Sequence, residues 1–343
     1  MTKRTLKRLA MALWKACGSP LLLARGDAVI LGYHRVVDDE STQQPGSIAI
    51  SSRDFASQLT ELKKRFTLVQ LDELLSMSVE DRKSGEPYCA ITFDDGWHDN
   101  YTVALPILKS FNIPATIFIC TNFIDTNRRY WWEALEECLQ CYSKLSCNEK
   151  IETRNTLLEV IEDIPGIEKI TRDTLIPWCK RQPREKIEEF VKVFSSTLNI
   201  STQKQSALSS TEIREMQRNG CIFGSHTANH VILPVETEDI VRDELASSMR
   251  YLRTITAQNN ILFAYPNGAY SPRDIALVAE AGFSASVTVR PGIVPAQIMR
   301  RHELPRIDSC GKNSTASLMF AVFRCSIQRH IKKSLNICHR CVL

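Results

Sequence analysis

With 343 residues, 43% of them hydrophobic, and a formal charge of +4, the chain is long and apolar enough to bury a large core. No run of about 18 apolar residues occurs, which excludes a membrane-spanning helix. The charge sits at the ends: residues 1–26 and 311–343 each carry six basic residues and no acid, so the rest of the chain sums to −8. These basic ends lack interleaved stacking aromatics, and nucleic acid is not expected as a partner.

The first 27 residues start like a signal peptide, but Lys15 interrupts the apolar stretch Leu9–Trp14, so an uncleaved basic helix is expected. Val29–Tyr33 is a short apolar strand ending on His34. Ser51 or Ser52 caps a helix with Phe55, Leu59 and Leu62 on one face. Thr67–Val69 and Tyr88–Phe93 are the next strands, the second leading into Asp94-Asp95-Gly96. A helix kinked at Pro106 and a strand at 115–119 continue an alternation that implies parallel β/α construction.

From about 129 to 205 the alternation stops. Helical patterns at Trp131–Cys141, Ile151–Ile161 and Arg184–Leu198, separated by Pro165, Pro177 and Pro183, read as an inserted helical subdomain for packing or substrate coverage. Trp131 and Trp132 at its entrance suit either core packing or stacking on a sugar. Alternation resumes with a helix opened by a capping box at Ser209 and Glu212 and stopped by Gly220. The strand Cys221–Phe223 then runs into His226 and His230. A long helix at 239–256, the strand Ile261–Ala264, the turn Tyr265-Pro266-Asn267-Gly268, a helix from Pro272, a strand at 285–289 and the segment Leu304–Ile307 complete the pattern.

Four polar clusters fall just beyond strand C-termini: His34, Asp94 with Asp95, His226 with His230, and the Tyr265–Gly268 turn. In parallel β/α folds that edge is where sites form. Two adjacent carboxylates after a buried strand call for a compensating cation. His226 and His230, four residues apart, share one face if the segment is a helical turn, and an aspartate from another strand end completes the two-His, one-carboxylate set of open catalytic metal sites. The cysteine pairs Cys138/Cys141 and Cys338/Cys341 each lack a matching second half and read as free thiols; Cys89, Cys120 and Cys221 fall in apolar strands, a usage that suits a reducing compartment.

Thr92-Phe93-Asp94-Asp95-Gly96, His226-Thr227-x-x-His230 and Phe263-x-x-Pro266-x-Gly268 occur in the order found in the polysaccharide deacetylase family, and from about 28 to 309 the chain resembles that family's NodB-type domain. The resemblance implies an α/β fold, an irregular parallel (β/α) barrel of about seven strands with a helical insertion, that removes acetyl groups from N-acetylated amino sugars of a polysaccharide or lipid-linked glycan. It implies a divalent metal, zinc first, on Asp95, His226 and His230, with Asp94 as base and a backbone N–H near Asn267 for the oxyanion. Two departures stand out. The commonest pattern places a catalytic histidine near the domain's C-terminus, where this chain reads Leu304-Pro305-Arg306-Ile307; His34, on the first strand of a closed barrel, resembles the permuted branch of the family and is the expected general acid, with His302 the alternative. Where many members carry an arginine that tethers the base, this chain has Ala264, and Arg306 is the candidate replacement. Tyr265, Pro266, Gly268 and Trp97 are further expected substrate-pocket residues, with His98 either beside them or on the surface.

Action on O-acetyl groups or another amide, or carbohydrate binding without turnover, are the alternative activities. In the tail 310–343, Leu318, Val322, Ile327, Ile331 and Leu335 recur at near-helical spacing among basic residues. This suits either an amphipathic helix on anionic lipid, with a cytoplasmic enzyme held at the inner membrane face, or a helix packed on the barrel.

Overall fold

The computed structural model describes residues 3–18, 20–38, 48–160, 170–201, 203–309, 312 and 314–340. Its sheet runs in the order 307–308, 28–33, 88–93, 115–119, 221–225, 262–264, 285–287, all parallel, with the short strand Thr67–Leu68 added beside 88–89. The last segment curls the sheet toward closure. Leu304 bridges Val287 in parallel, and three residues later Ile307 pairs with Leu31.

The period of two along the first strand explains the layering. Val29, Leu31 and Tyr33 face outward and pack with Phe55, Leu59 and Leu62 of the helix Ser52–Arg65. Ala28 and Ile30 join Ala90, Phe118, Leu262, Ala264 and Leu304 in a second cluster inside the curl. Small residues there let strands from opposite sides approach, as in filled barrels. The helix Ser52–Arg65 starts where the sequence places it, with the Ser51 hydroxyl accepting from the Asp54 N–H (3.0 Å). The capping box of Ser209 and Glu212 is formed. The helix at 100–111 begins as a π-helical turn, Asn100–Ala104, and becomes α-helical only at Leu105, which is how it accommodates Pro106.

The insertion has a core of its own. Leu135, Cys138, Leu157, Leu175, Trp178, Ile187, Phe190 and Phe194 form a cluster separate from both barrel clusters. Its helices are Trp131–Lys144, Cys147–Val160, Arg172–Cys179 and Arg184–Thr197. The third was not expected from the sequence: Pro177 reads as a breaker, but the chain accommodates it late in a short helix opened by a capping box at Thr171. Cys138 packs against Ser195 inside this core (3.4 Å).

The terminal helices Lys3–Ala16 and Thr315–Arg340 meet through Trp14, whose ring lies 5.6 Å from Phe320 and 5.8 Å from Phe323. Leu318 and Val322 are buried, Ile327 is half-buried and Ile331 is exposed, so the expected stripe packs on the barrel through Ser326, and beyond it Arg329 still pairs with Asp27 and His330 lies 3.1 Å from the Leu22 carbonyl. Leu335, Pro165 and the pair Cys338/Cys341 lie outside the described residues or side chains. No helix among the described residues is long and apolar enough to cross a membrane.

Candidate active site

Asp94 and Asp95 follow the strand Tyr88–Phe93 and diverge because the backbone turns sharply. Asp95 (φ 73°) and Gly96 (φ 74°) both occupy the left-handed region. This turn is costly for a non-glycine residue and is held by surrounding bonds. The Tyr130 hydroxyl donates to the Asp95 carbonyl (2.5 Å) and the Trp97 indole N–H donates to Asp95 Oδ2 (2.8 Å).

With Oδ2 so occupied, Asp95 Oδ1 faces two imidazoles, lying 3.5 Å from both His226 Nε2 and His230 Nε2. One ligand atom from each of the three residues falls within 4.8 Å of the others, and all three residues are buried. His226 Nδ1 lies 2.8 Å from the Ala264 carbonyl, an acceptor only, which assigns the proton to Nδ1 and leaves the Nε2 lone pair facing inward. Burial, with the nearby His226, pushes the His230 pKa well down and so favours the neutral, ligating form. Burial raises the Asp95 carboxyl despite His34 and His226 beside it, and the neighbouring Asp94 adds to the rise. The donor set fits a divalent metal ion.

The His226–His230 spacing is not realised on a helix, contrary to expectation. The segment is an irregular turn with Thr227 (φ 64°) and His230 (φ 59°) left-handed, and a buried carboxylate holds it. Glu244, on the helix Glu238–Ile255, accepts from the N–H groups of Ala228 (2.9 Å) and Asn229 (2.8 Å) and from the Asn229 side chain (2.6 Å). Sequence reading missed this residue; the available signal was an acid among Val241, Leu245 and Ser248 on the buried face of that helix.

Asp94 lies on the other side of the turn and is clamped. Arg306 Nη1 and Nη2 donate to its two carboxylate oxygens at 2.6 and 2.5 Å, and Nη1 also reaches Thr92 Oγ1 (3.2 Å). The pair is buried, with side-chain exposures of 2% and 4%. Burial alone would raise the Asp94 carboxyl, but the Arg306 charge and hydrogen bonds, with His226 and His34, hold it well below the usual carboxylate range. Gly32 makes room for the guanidinium: a Cβ there would lie 3.0 Å from Arg306 Nε. His34, half-buried at the mouth, places Nε2 3.9 Å from Asp94 Oδ2.

These groups open into a cavity of about 140 Å³ lined by His34, Asp94, Asp95, His226, His230, Asn267 and Gly268 from the barrel. Trp131, Trp132, Arg172, Ile176 and Lys180 of the insertion supply the opposite wall. Trp132 stacks on Tyr130 (4.7 Å, 13°) and sits 4.5 Å from the His230 ring. Several residues expected in the pocket stand behind its wall instead. Trp97 is buried against Asp95, Tyr265 donates to the His302 carbonyl (3.0 Å), and Pro266 and Arg306 are buried. His302 bonds Ser286 (3.0 Å) outside the cavity, and His98 faces Glu212 (3.2 Å).

The polysaccharide deacetylase family model matches residues 81–143 and 186–286, which include both aspartates, both histidines and the Tyr265–Gly268 turn; His34, Arg172, Lys180 and Arg306 lie outside those blocks. YxkH of Bacillus subtilis (strain 168), provisionally named a polysaccharide deacetylase, is 20% identical over 264 residues, covering 77% of this chain; the chain spans 64% of that relative's length. Among solved structures, the deacetylase PplD of Streptococcus pyogenes in complex with acetate superposes with a TM-score of 0.57 at 20% identity, over 86% of this chain and 98% of that one. IcaB from Ammonifex degensii gives 0.54 at 18% identity, over 86% and 97%. The likenesses to solved structures carry the fold alone, while the family model, with the motif order intact within its blocks, identifies a polysaccharide deacetylase domain in this chain.

Proposed function

We propose that the protein hydrolyses the acetamide of an N-acetylated sugar in a glycan, with Asp95, His226 and His230 holding one divalent metal ion, zinc first. The observation that carries this reading is the buried Asp95/His226/His230 set with an ionised, arginine-clamped Asp94 beside it. A metal held there lowers the pKa of water and polarises an acyl carbonyl. Asp94, kept charged by Arg306, accepts the proton of the attacking water. The Gly268 N–H is committed to the Tyr265 carbonyl (2.7 Å), so we assign the Asn267 N–H to the developing oxyanion. His34 at the mouth donates a proton to the departing amine. Arg306 does from the closing segment what the missing arginine at Ala264 would do, which favours turnover over mere binding.

Purified protein is expected to carry close to one zinc per chain by elemental analysis and to release acetate from N-acetylglucosamine oligomers. His226→Ala should lose the metal and the release together. A chain that releases acetate at full rate after metal removal would overturn the reading.

We further infer that the basic ends rest on anionic lipid. The paired terminal helices leave Leu13 and Ile331 exposed, Leu22 is exposed in the segment after the first of them, all three fall within the basic ends of the sequence, and the buried thiols suit the cytoplasmic side. The full chain should float with phosphatidylserine-containing vesicles at low salt and not with neutral ones; equal recovery with both would sink this placement.

A further inference from the structure

The insertion is nearly neutral in sum, with 12 basic and 13 acidic residues over 129–205. The wall it turns toward the catalytic cavity is not. Arg172, Ile176 and Lys180 are spaced by four, and all three line the cavity with the two tryptophans, while no acid among the described residues of the insertion does so. The helix Arg172–Cys179 thus aims one face at the site, and the ends of that face are cationic.

These charges are not needed to balance the catalytic acids. Asp94 has its own bidentate arginine, and Asp95 is bound by Trp97 and flanked by two imidazoles. Arg172 Nε reaches outward to Glu136 (2.9 Å), and Lys180 Nζ makes no ion pair among the described residues. Partial burial, and to a lesser extent the neighbouring Arg172, lowers the Lys180 pKa. The same sign continues next door. A second cavity of about 260 Å³ shares Trp131, Trp132 and His230 with the first, and its rim carries Arg128, Arg129, Arg184 and Lys192 against Glu188.

Resting on the deacetylase reading above, the structure assigns Arg172 and Lys180 to the recognition of an anionic group, carboxylate or phosphate, carried by the substrate beside the reacting acetamido sugar. A neutral glycan would leave Lys180 without an ionic partner among the described residues and Arg172 with Glu136 alone. An anion between them gains two charge-assisted contacts at the mouth and is steered to the metal site. The two sources of such a group are a neighbouring uronate in an acidic glycan and a phosphate ester on the sugar's anomeric carbon. Arg172 and Lys180 would set KM for the charged substrate and leave the bond-breaking step to the barrel residues.

The test is calorimetric titration of the full chain, freed of metal so that no turnover occurs. The probes are methyl N-acetylglucosaminide, N-acetylglucosamine 1-phosphate and a glucuronate–N-acetylglucosamine disaccharide. At least one charged probe should bind about tenfold or more tightly than the neutral one. Arg172→Gln with Lys180→Gln should bring that probe to within about twofold of the neutral one, whereas Lys180→Arg should keep the preference. The probe that gains identifies the source. Equal binding of all three, or equal loss of charged and neutral probes in the double variant, overturns the assignment. Acetate release by the zinc-loaded chain, measured in parallel, separates the two claims. Charge preference without release removes the hydrolase reading and keeps the anion site; release with equal kcat/KM on charged and neutral substrates does the reverse.

Discussion

Asp94→Asn should abolish acetate release while leaving the metal in place. A general base contributes about 10² to 10⁴ in rate, and the loss should appear in kcat with KM little changed, because in the proposed mechanism Asp94 acts on the attacking water and not on the sugar. Zinc content should stay near one per chain, since the atoms proposed to hold it belong to Asp95, His226 and His230. The substitution is not silent structurally. An amide must turn one NH₂ toward Arg306, whose two Nη groups both donate, so one bond of the clamp becomes a donor–donor contact. Thermal stability therefore has to be measured alongside the rate. A variant that keeps metal, fold and more than a tenth of the wild-type kcat would mean that another group takes the proton.

Arg306→Met is expected to damage both stability and turnover. It leaves Asp94 buried at 4% side-chain exposure with its main compensating charge gone. Breaking a buried pair in this way costs about 3–5 kcal/mol, more than removing both partners. Asp94→Asn combined with Arg306→Met should consequently be more stable than Arg306→Met alone, a non-additivity readable from urea unfolding midpoints. Turnover should fall by at least about tenfold in the single variant, because Asp94 loses the ionisation and orientation that Arg306 imposes. Arg306→Lys restores a charge but not the fork, and should recover stability better than rate. If Arg306→Met unfolds at the wild-type midpoint and turns over normally, the clamp has no role in either.

These two residues also mark the boundary of what a linear reading reaches. The aspartate pair, the two histidines and the Tyr265–Gly268 turn are local patterns at strand ends, and strand ends are legible because apolar runs stop there. Gly32 inside the first strand was a further local signal of a close approach, filled in the structure by Arg306. The spacing of His226 and His230 was misleading about local shape. The turn is irregular because Glu244, 14 residues beyond His230, captures its N–H groups, and no helical periodicity in the turn itself could reveal that. Pro177 was likewise read as a break, although a short helix holds it and presents Arg172, Ile176 and Lys180 to the cavity.

The sequence by itself determined the alternation of strands and helices, the interruption from about 129 to 205, and the aspartate pair and the histidine pair as separate strand-end motifs, because each depends on residues within a few positions of one another. Only the tertiary structure decided what stands behind and opposite that set. Closure of the sheet through Leu304 and Ile307 brings Arg306 onto Asp94 across more than 200 residues, and the separate core of the insertion sets its tryptophans and cationic helix face over the site. Those contacts follow from how the layers pack, a property of the whole chain that no local pattern encodes.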